Sequence, residues 1–495
     1  MTIAHIRLTT ACASQSRLAV GQIGGHILAA QSLNIKPRTA RSMNHLGLQC
    51  SKAIVFAIAV VGLTTISAVD SAAQWNANSN WFDRWLNGDR GSSNGSYNSK
   101  KITLKEKRRQ RAALDKYLRN ENLLLSPKTI QAVGIAIGRY RNIVTSGGWP
   151  NIRKQKGAWL RLGARDKRVG LLRRRLAITR DHPPRSRGDA WTFDQEVELA
   201  VKRFQIRHGI RPTGVVGSRT LYALNVPADE RLAQLQVNAL RLRTFSEHMA
   251  KERRYVLVNV PSSELQAVRD NRLELYSKTI VGRPATQTPT IQAKIRGLNF
   301  FPFWRVPDSI AHRDLIPTLL KDPSYLAKER IRVLTKWGGE EVDPRAVDWY
   351  SPEAKNLKFR QDPGDRNALG LIRIDMPNEH IVYMHDTPLK KLFNSSSRTF
   401  SAGCVRVQQV TDLAAWLLSD EPEWNRARID SVLIGGVAED VKLVEPVPVL
   451  FTYITAWGLD NGVAHFRPDV YGRDGTRAIV ARYNDEPTVM QTLSP

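Results

Sequence analysis

Chemistry is concentrated in two short stretches of this 495-residue sequence. Tyr383-Met384-His385-Asp386-Thr387-Pro388 ends an apolar run with an imidazole, and Ser401-Ala402-Gly403-Cys404-Val405-Arg406-Val407 sets a thiol between a glycine and an arginine. A cysteine working with a histidine performs acyl transfer. The imidazole takes the thiol proton, the thiolate attacks a carbonyl, and a thioester remains. Gly403 lets the backbone approach a substrate carbonyl closely. The N–H groups of Gly403 and Cys404 are candidates for an oxyanion site. Arg406, two residues on, favours a thiolate by charge. By residue type alone, the pattern also fits an inert buried thiol and a core histidine, and both readings stand at this point.

The remaining cysteines sharpen the question. There are three in all: Cys12, Cys50 and Cys404. The first two fall in or before an apolar run, Ala53 to Ile66, which follows Lys52 and precedes the small residues Ser71-Ala72-Ala73. That order is the n-region, h-region and cleavage site of a secretory signal peptide. The run is shorter than the ~20 residues a spanning helix needs, so cleavage before Gln74 is expected rather than an inner-membrane anchor. Residues 1–42 read as an over-extended start or an unusual leader, with Met43 the better start. A mature chain from Gln74 would be periplasmic and would carry a single thiol, which is a liability in an oxidising compartment unless buried or used.

The elements that must position the pair follow from periodicity. Residues 74–126 form an expected linker rich in Ser, Gly and Asn, with a basic run from Lys105 to Arg111 that reads mainly as a solvated face. Residues 127–252 read as a helical scaffold. Within it, Phe193, Val197, Val201 and Phe204 fall at helical spacing and His208-Gly209 stops that helix. A second helix opens at Gly217, with Asn225 expected to cap its end. A third, from Asp229 to about Met249, is expected to bury Leu232, Leu235, Ala239 and Leu242. The texture then turns to strands: Tyr255-Val256-Leu257-Val258-Asn259-Val260, a turn at Asp270-Asn271, and Leu273-Glu274-Leu275-Tyr276. Residues 371–385 are expected to return to strand, and a helix carrying Val410, Leu413, Ala414 and Leu417 follows Cys404. The charged stretch near 308–365 reads as a lid insertion.

Net charge is +28, with 42% hydrophobic and 24% charged residues, so the chain is globular and suited to an anionic partner. Nucleic acid is one such partner and the carboxylates and phosphates of a cell wall another; the export pattern argues against the first. The ten histidines show no metal-ligand spacing and no phosphate-binding glycine loop occurs, so no metal or cofactor is expected.

The two active stretches resemble the catalytic signature of the L,D-transpeptidases (YkuD type), a strand-borne His followed downstream by Ser-x-Gly-Cys-hydrophobic-Arg/Asn. The closest likeness is to the large Gram-negative subclass with a lid and scaffold. Thr288-Pro289-Thr290, Phe303-Trp304-Arg305-Val306-Pro307, Ile454-Thr455-Ala456-Trp457 and Phe466-Arg467-Pro468-Asp469 match it as well. Position 402 departs, being Ala where many members have His. A second resemblance, to a small helical peptidoglycan-binding module near 190–226, rests on Val201-Lys202-Arg203-Phe204-Gln205, Thr213-Gly214-Val215-Val216-Gly217 and Thr220-Leu221-Tyr222-Ala223-Leu224-Asn225.

These resemblances imply an α+β multidomain protein. Its divisions would be a leader and signal at 1–73, linker at 74–126, scaffold with module at 127–252, β-rich catalytic domain at 253–437 and β-rich extension at 438–495. They imply Cys404 as nucleophile and His385 as base. The Asp386 carbonyl would orient the imidazole, and Gly403 would serve the oxyanion. Tyr383, Phe400, Ser401 and Arg406 would line the pocket. The substrate would be a peptidoglycan stem tetrapeptide losing its terminal D-Ala, with acceptor a second stem, an outer-membrane protein, or water in a carboxypeptidase. Carbapenem β-lactams would acylate Cys404.

Overall fold

A computed structural model describes residues 123–154, 159–184, 189–459 and 462–475, together with Leu114. The expected leader, its apolar run and the basic run at 105–111 lie outside the described residues, as does nearly all of the linker. Among the described residues no helix is long and apolar enough to cross a membrane.

Among the described residues the first helices are α1 (Pro127–Thr145), α2 (Arg168–Ile178), α3 (Gln195–Arg207), α4 (Ser218–Asn225) and α5 (Ala228–Met249). Their starts are written locally. Ser126 caps α1 by accepting from the Thr129 N–H at 3.1 Å, with Pro127 following. Asp194 caps α3 by accepting from the Val197 N–H at 3.0 Å. Phe193, Val197, Val201 and Phe204 pack with Val169, Leu172 and Leu224 into one small core, so α2, α3 and α4 form a unit. The buried Gln205 amide holds its connecting turn, donating to the Val215 carbonyl at 2.9 Å while its Oε1 accepts from the Gly214 N–H at 2.9 Å. Asn225 departs from expectation. It is the last residue of α4 rather than its cap, and its amide pairs with both backbone groups of Ile152 at 2.9 Å. On α5, Leu235 and Leu242 are buried as expected, but Gln234 and Asn238 occupy the centre of that face. Leu232 and Ala239 sit at its partly buried margins.

The strands are β1 (Arg254–Asn259), β2 (Glu264–Arg269), β3 (Arg272–Gly282), β4 (Ile291–Phe300), β5 (Trp304–Val306), β6 (Ile331–Leu334), β7 (Glu341–Val342), β8 (Lys358–Gln361), β9 (Ile372–Asp375), β10 (Met384–His385), β11 (Thr399–Ser401), β12 (Val405–Val407), β13 (Glu439–Thr452), β14 (Ala456–Gly458) and β15 (Ala464–Phe466). Two helices, α6 (Val410–Leu417) and α7 (Arg426–Gly435), precede β13. The main sheet runs β11-β3-β12-β10-β9-β4-β13-β1-β2, and pairing of β2 with β3 closes it into a ring. Closure removes open edges and stiffens whatever the ring carries.

β1 explains the continuous apolar run at 255–260. Val256 and Val258 face the core inside the ring with Leu265, Ile295, Ile374 and Met384. Tyr255 and Leu257 face outward and pack with Val133 and Tyr140 of α1 and Leu235 and Leu242 of α5. A strand covered on both faces cannot alternate apolar with polar. β13 lies between β1 and β4, so the sheet runs past the expected division at 437. The expected strand at 371–385 is two short ones, β9 and β10, separated by a loop in which Asn378 bonds Met376 and Val382.

Residues 301–370 fold as a separate layer. β5-β8-β6-β7 make a second sheet, and the helical turns from Asp308 to Leu319 cover it. Trp304, Leu315, Val333 and Phe359 form its own core. Tyr383 and Ala402, from the two stretches singled out in the sequence, pack against that core.

Candidate active site

β10 and β12 are parallel neighbours, with Met384 opposite Val405 and His385 opposite Arg406. Side chains alternate faces along a strand. His385 and Arg406 therefore share one face, while Tyr383 and Cys404 stand just before the two strands. The Val405 N–H donates to the Tyr383 carbonyl at 3.0 Å and holds this register. Tyr383 and His385 meet edge to face, with ring centroids 5.7 Å apart.

His385 is fully buried. Its Nδ1 bonds the Asp386 carbonyl, which requires Nδ1 to donate and leaves Nε2 with the lone pair. Nε2 has no partner among the described residues. The imidazole is thus a base with its acceptor nitrogen unspent. Burial pushes its pKa down to about 3, and the Arg406 charge pushes the same way. Cys404 is 9% exposed, and burial pushes its thiol up to about 11, against hydrogen bonding from Tyr383 and the charges of Arg406 and Arg373. Both groups are neutral near pH 7 rather than a resting ion pair.

Asp386 has a second task. Its buried carboxylate accepts from the Leu371 N–H at 3.1 Å and pairs with Lys390. Gly370, at φ +64°, passes so close that a Cβ there would stand 2.5 Å from that carboxylate. The Asp386 backbone, whose carbonyl fixes the imidazole, is thereby clamped.

The turn before Cys404 is held from both sides. Gly403 takes φ +130°. Its N–H donates to the Ser401 hydroxyl at 3.2 Å, and that hydroxyl donates to the Cys404 carbonyl at 2.6 Å. Two expectations change here. Ser401 is fully buried and staples the turn rather than lining a pocket. The Gly403 N–H is already spent, which leaves the Cys404 N–H as the backbone donor of the pair for an oxyanion. Phe400 is half-buried on β11, and no recorded contact among the described residues ties it to Cys404. Tyr383 hydrogen-bonds with Cys404, while Arg406 is as fully buried as Ser401, its charge acting on both Cys404 and His385.

Other supporting residues gave little sign of their role beforehand. Thr288 donates to the Gly403 carbonyl at 2.7 Å while accepting from the Gly282 N–H at 2.8 Å. Tyr471, from the far end of the chain, donates to the Gly282 carbonyl at 2.7 Å. Arg373 lies over the Tyr383 ring at 5.1 Å. Thr288 belonged to a recognisable motif, but Tyr471 carries no local signal. Among the described residues no cluster of three or more His, Cys, Asp or Glu could hold a metal.

Residues 253–449 match the family model described as L,D-transpeptidase catalytic domain (YkuD), and residues 165–224 match one described as "Putative peptidoglycan binding domain". Over 242 residues the chain is 36% identical to a protein of Haemophilus influenzae named "Putative L,D-transpeptidase", covering 49% of this chain and 48% of that protein. The chain thus spans about half the length of the curated relative it matches. An L,D-transpeptidase (Yku) structure from Stackebrandtia nassauensis overlaps 61% of this chain and 96% of its own, at 15% identity and TM-score 0.23. One from Xylanimonas cellulosilytica overlaps 61% and 100%, at 13% identity and TM-score 0.21. At those scores the structural overlaps carry no argument. Residues 253–449 are thus similar to L,D-transpeptidase catalytic domains, and residues 165–224 to peptidoglycan-binding domains.

Proposed function

We propose that the protein is an exported peptidoglycan L,D-transpeptidase that works through a Cys404 thioester. The observation that carries this reading is the pairing of β10 with β12, which sets the His385 and Cys404 segments side by side, with an imidazole whose Nδ1 is spent and whose Nε2 has no partner among the described residues. His385 Nε2 takes the Cys404 proton as the thiolate attacks the carbonyl of the third residue of a stem tetrapeptide. The carbonyl oxygen gains charge beside the Cys404 N–H. The C–N bond breaks, the proton passes from His385 to the leaving D-Ala amine, and an amine of a second stem resolves the thioester. The lid core resting on Tyr383 and Ala402 supports transfer over hydrolysis, because it limits water at the thioester. The basic chain and the peptidoglycan-binding-family domain support retention on an anionic wall in the periplasm. An outer-membrane protein is an alternative acceptor amine.

Intact-protein mass after incubation with a disaccharide-tetrapeptide tests this. Wild type should gain substrate minus D-Ala, Cys404→Ala should gain nothing, and muropeptide dimers should accumulate. Tripeptides without dimers would make it a carboxypeptidase, and neither adduct nor product from folded protein would overturn catalysis. A carbapenem should leave a stoichiometric adduct on wild type only.

A further inference from the structure

A cavity of about 600 Å³ lies where α1, the end of α2 and α3 meet, and none of its lining residues belongs to the Cys404 site. Arg139 of α1, Arg180 just past α2 and Arg203 of α3 all line it. Asp181 is the one acid among the described lining residues, and its carboxylate is spent elsewhere. It is 1% exposed and accepts from Arg207 Nε at 2.6 Å, from Arg207 Nη2 at 2.5 Å and from the Thr179 hydroxyl at 2.6 Å. The cavity therefore keeps its positive charge.

Two of its arginines are pinned without being neutralised. Arg139 donates to the Ile178 carbonyl at 2.7 Å and to the Gly462 carbonyl at 3.3 Å. Arg203 donates through Nη1 to the Asp181 carbonyl at 3.0 Å, and its buried Nε has no partner among the described residues. Carbonyls fix these guanidiniums in place and leave their charge without a counter-ion. Burial, and after it the Arg180 charge, push the Arg139 guanidinium down, as expected of like charges held together. The same bonds cover carbonyls at and just past the end of α2 that would otherwise repel an anion. Arg180 points the same way. It holds φ +61°, a left-handed conformation that glycine or asparagine adopts at less cost. A strained backbone that brings a third cation to a cavity already lined by two fits a binding site better than a simple helix stop.

Three guanidiniums suit an anion of more than one charge. A phosphomonoester carries about −1.5 to −2 at neutral pH on three acceptor oxygens, and planar guanidiniums bind it through paired donors. The rest of the lining includes Ala177, Pro183 and Pro184, apolar surface that suits the C–H face of a sugar ring. The volume is that of a small-ligand site. We propose that this cavity binds a sugar carrying a phosphomonoester. The assignment is independent of acyl transfer at Cys404.

Isothermal titration calorimetry of the full chain with N-acetylglucosamine 1-phosphate tests it. Binding should be at least about tenfold tighter than for N-acetylglucosamine, and several-fold tighter than for N-acetylmuramic acid, whose carboxylate carries one charge. Arg139→Gln and Arg203→Gln should each weaken it about tenfold. Arg345→Gln removes an equal charge from an exposed position and should leave it unchanged. Arg180→Gly guards against misfolding as an explanation: with the left-handed strain relieved, its urea midpoint should hold or rise while its binding weakens. Equal binding of the phosphorylated and plain sugars overturns the proposal. So does equal weakening by Arg345→Gln, which would mean a general basic surface. Unchanged binding in all the cavity variants would leave the arginines as carbonyl caps and overturn it too. If N-acetylmuramic acid binds as tightly, the cavity takes a carboxylate and the phosphate assignment fails. If phosphatidylcholine vesicles doped with phosphatidic acid bind through Arg203 while the sugar phosphate does not, the ligand is a lipid headgroup and the sugar assignment fails.

Discussion

His385 and Cys404 illustrate how burial sets chemistry at the scale of single residues. Both are held neutral, the imidazole down to about 3 and the thiol up to about 11. Acylation should therefore show a flat kcat/KM from roughly pH 5 to 9, because no reacting group of the free enzyme titrates in that window. Activity falls only as pH drops toward the imidazole pKa and the base is lost. A limb near the ordinary histidine value of about 6.5 would mean the imidazole is more hydrated than this packing allows. Gly370 offers a second test. An alanine there meets the Asp386 carboxylate at 2.5 Å and must hold φ +64°. Gly370→Ala should cost about 1–3 kcal/mol by urea denaturation. It should also lower kcat more than KM, since the Asp386 carbonyl that orients His385 moves with it.

Between elements, the end of β3 holds the turn before Cys404. Gly282 takes no unusual φ, yet a Cβ there would lie 2.0 Å from the Thr286 carbonyl oxygen. The turn folds back so that Thr288 can bridge the Gly282 N–H and the Gly403 carbonyl. Gly282→Ala should spread that turn, lower the unfolding midpoint by at least about 1–3 kcal/mol equivalent, and impair acylation. Gly138 is the contrast. It lies within α1 with open space around it. Gly138→Ala should stabilise by about 0.5–1 kcal/mol and leave acylation unchanged. Parallel urea titrations of the two variants read both.

For the whole molecule, buried neutral histidines link stability to pH. His208 stacks on Phe204 with centroids 3.8 Å apart, His465 stacks on Trp457 at 5.2 Å, and burial holds both well below the usual histidine range. With His385 they bind protons in the unfolded chain, near pH 6.5, but not in the folded one. Stability should therefore fall as pH falls below about 6.5, by up to about 1.4 kcal/mol per pH unit for each such histidine. Urea midpoints measured from pH 7 to pH 5 check the slope. His465→Phe should lessen it. Polar contacts join the same region to the sheet. Asn238 of α5 bonds the Thr455 hydroxyl at 2.7 Å, Arg241 pairs with Asp474 at 2.5 Å, and Arg207 donates to the Ala464 carbonyl of β15 at 2.8 Å.

Local patterns were enough to read several features. The helix at 195–207 follows from apolar spacing and the His208-Gly209 stop, because a helix in water must present one apolar stripe and a glycine readily ends it. The two catalytic stretches are contiguous, so their residue types stand in the sequence as written. What required the tertiary structure was everything set by pairing across distance. The register of β10 on β12 decides that His385 and Arg406 share a face, and a shift by one residue would have turned one of them away. Burial decides that Ser401 staples a turn and that Arg406 is closed to solvent. Closure of the sheet by β2 on β3, with β13 between β1 and β4, joins segments nearly 200 residues apart. No local propensity encodes such contacts, because their free energy exists only once the chain has brought both partners out of water.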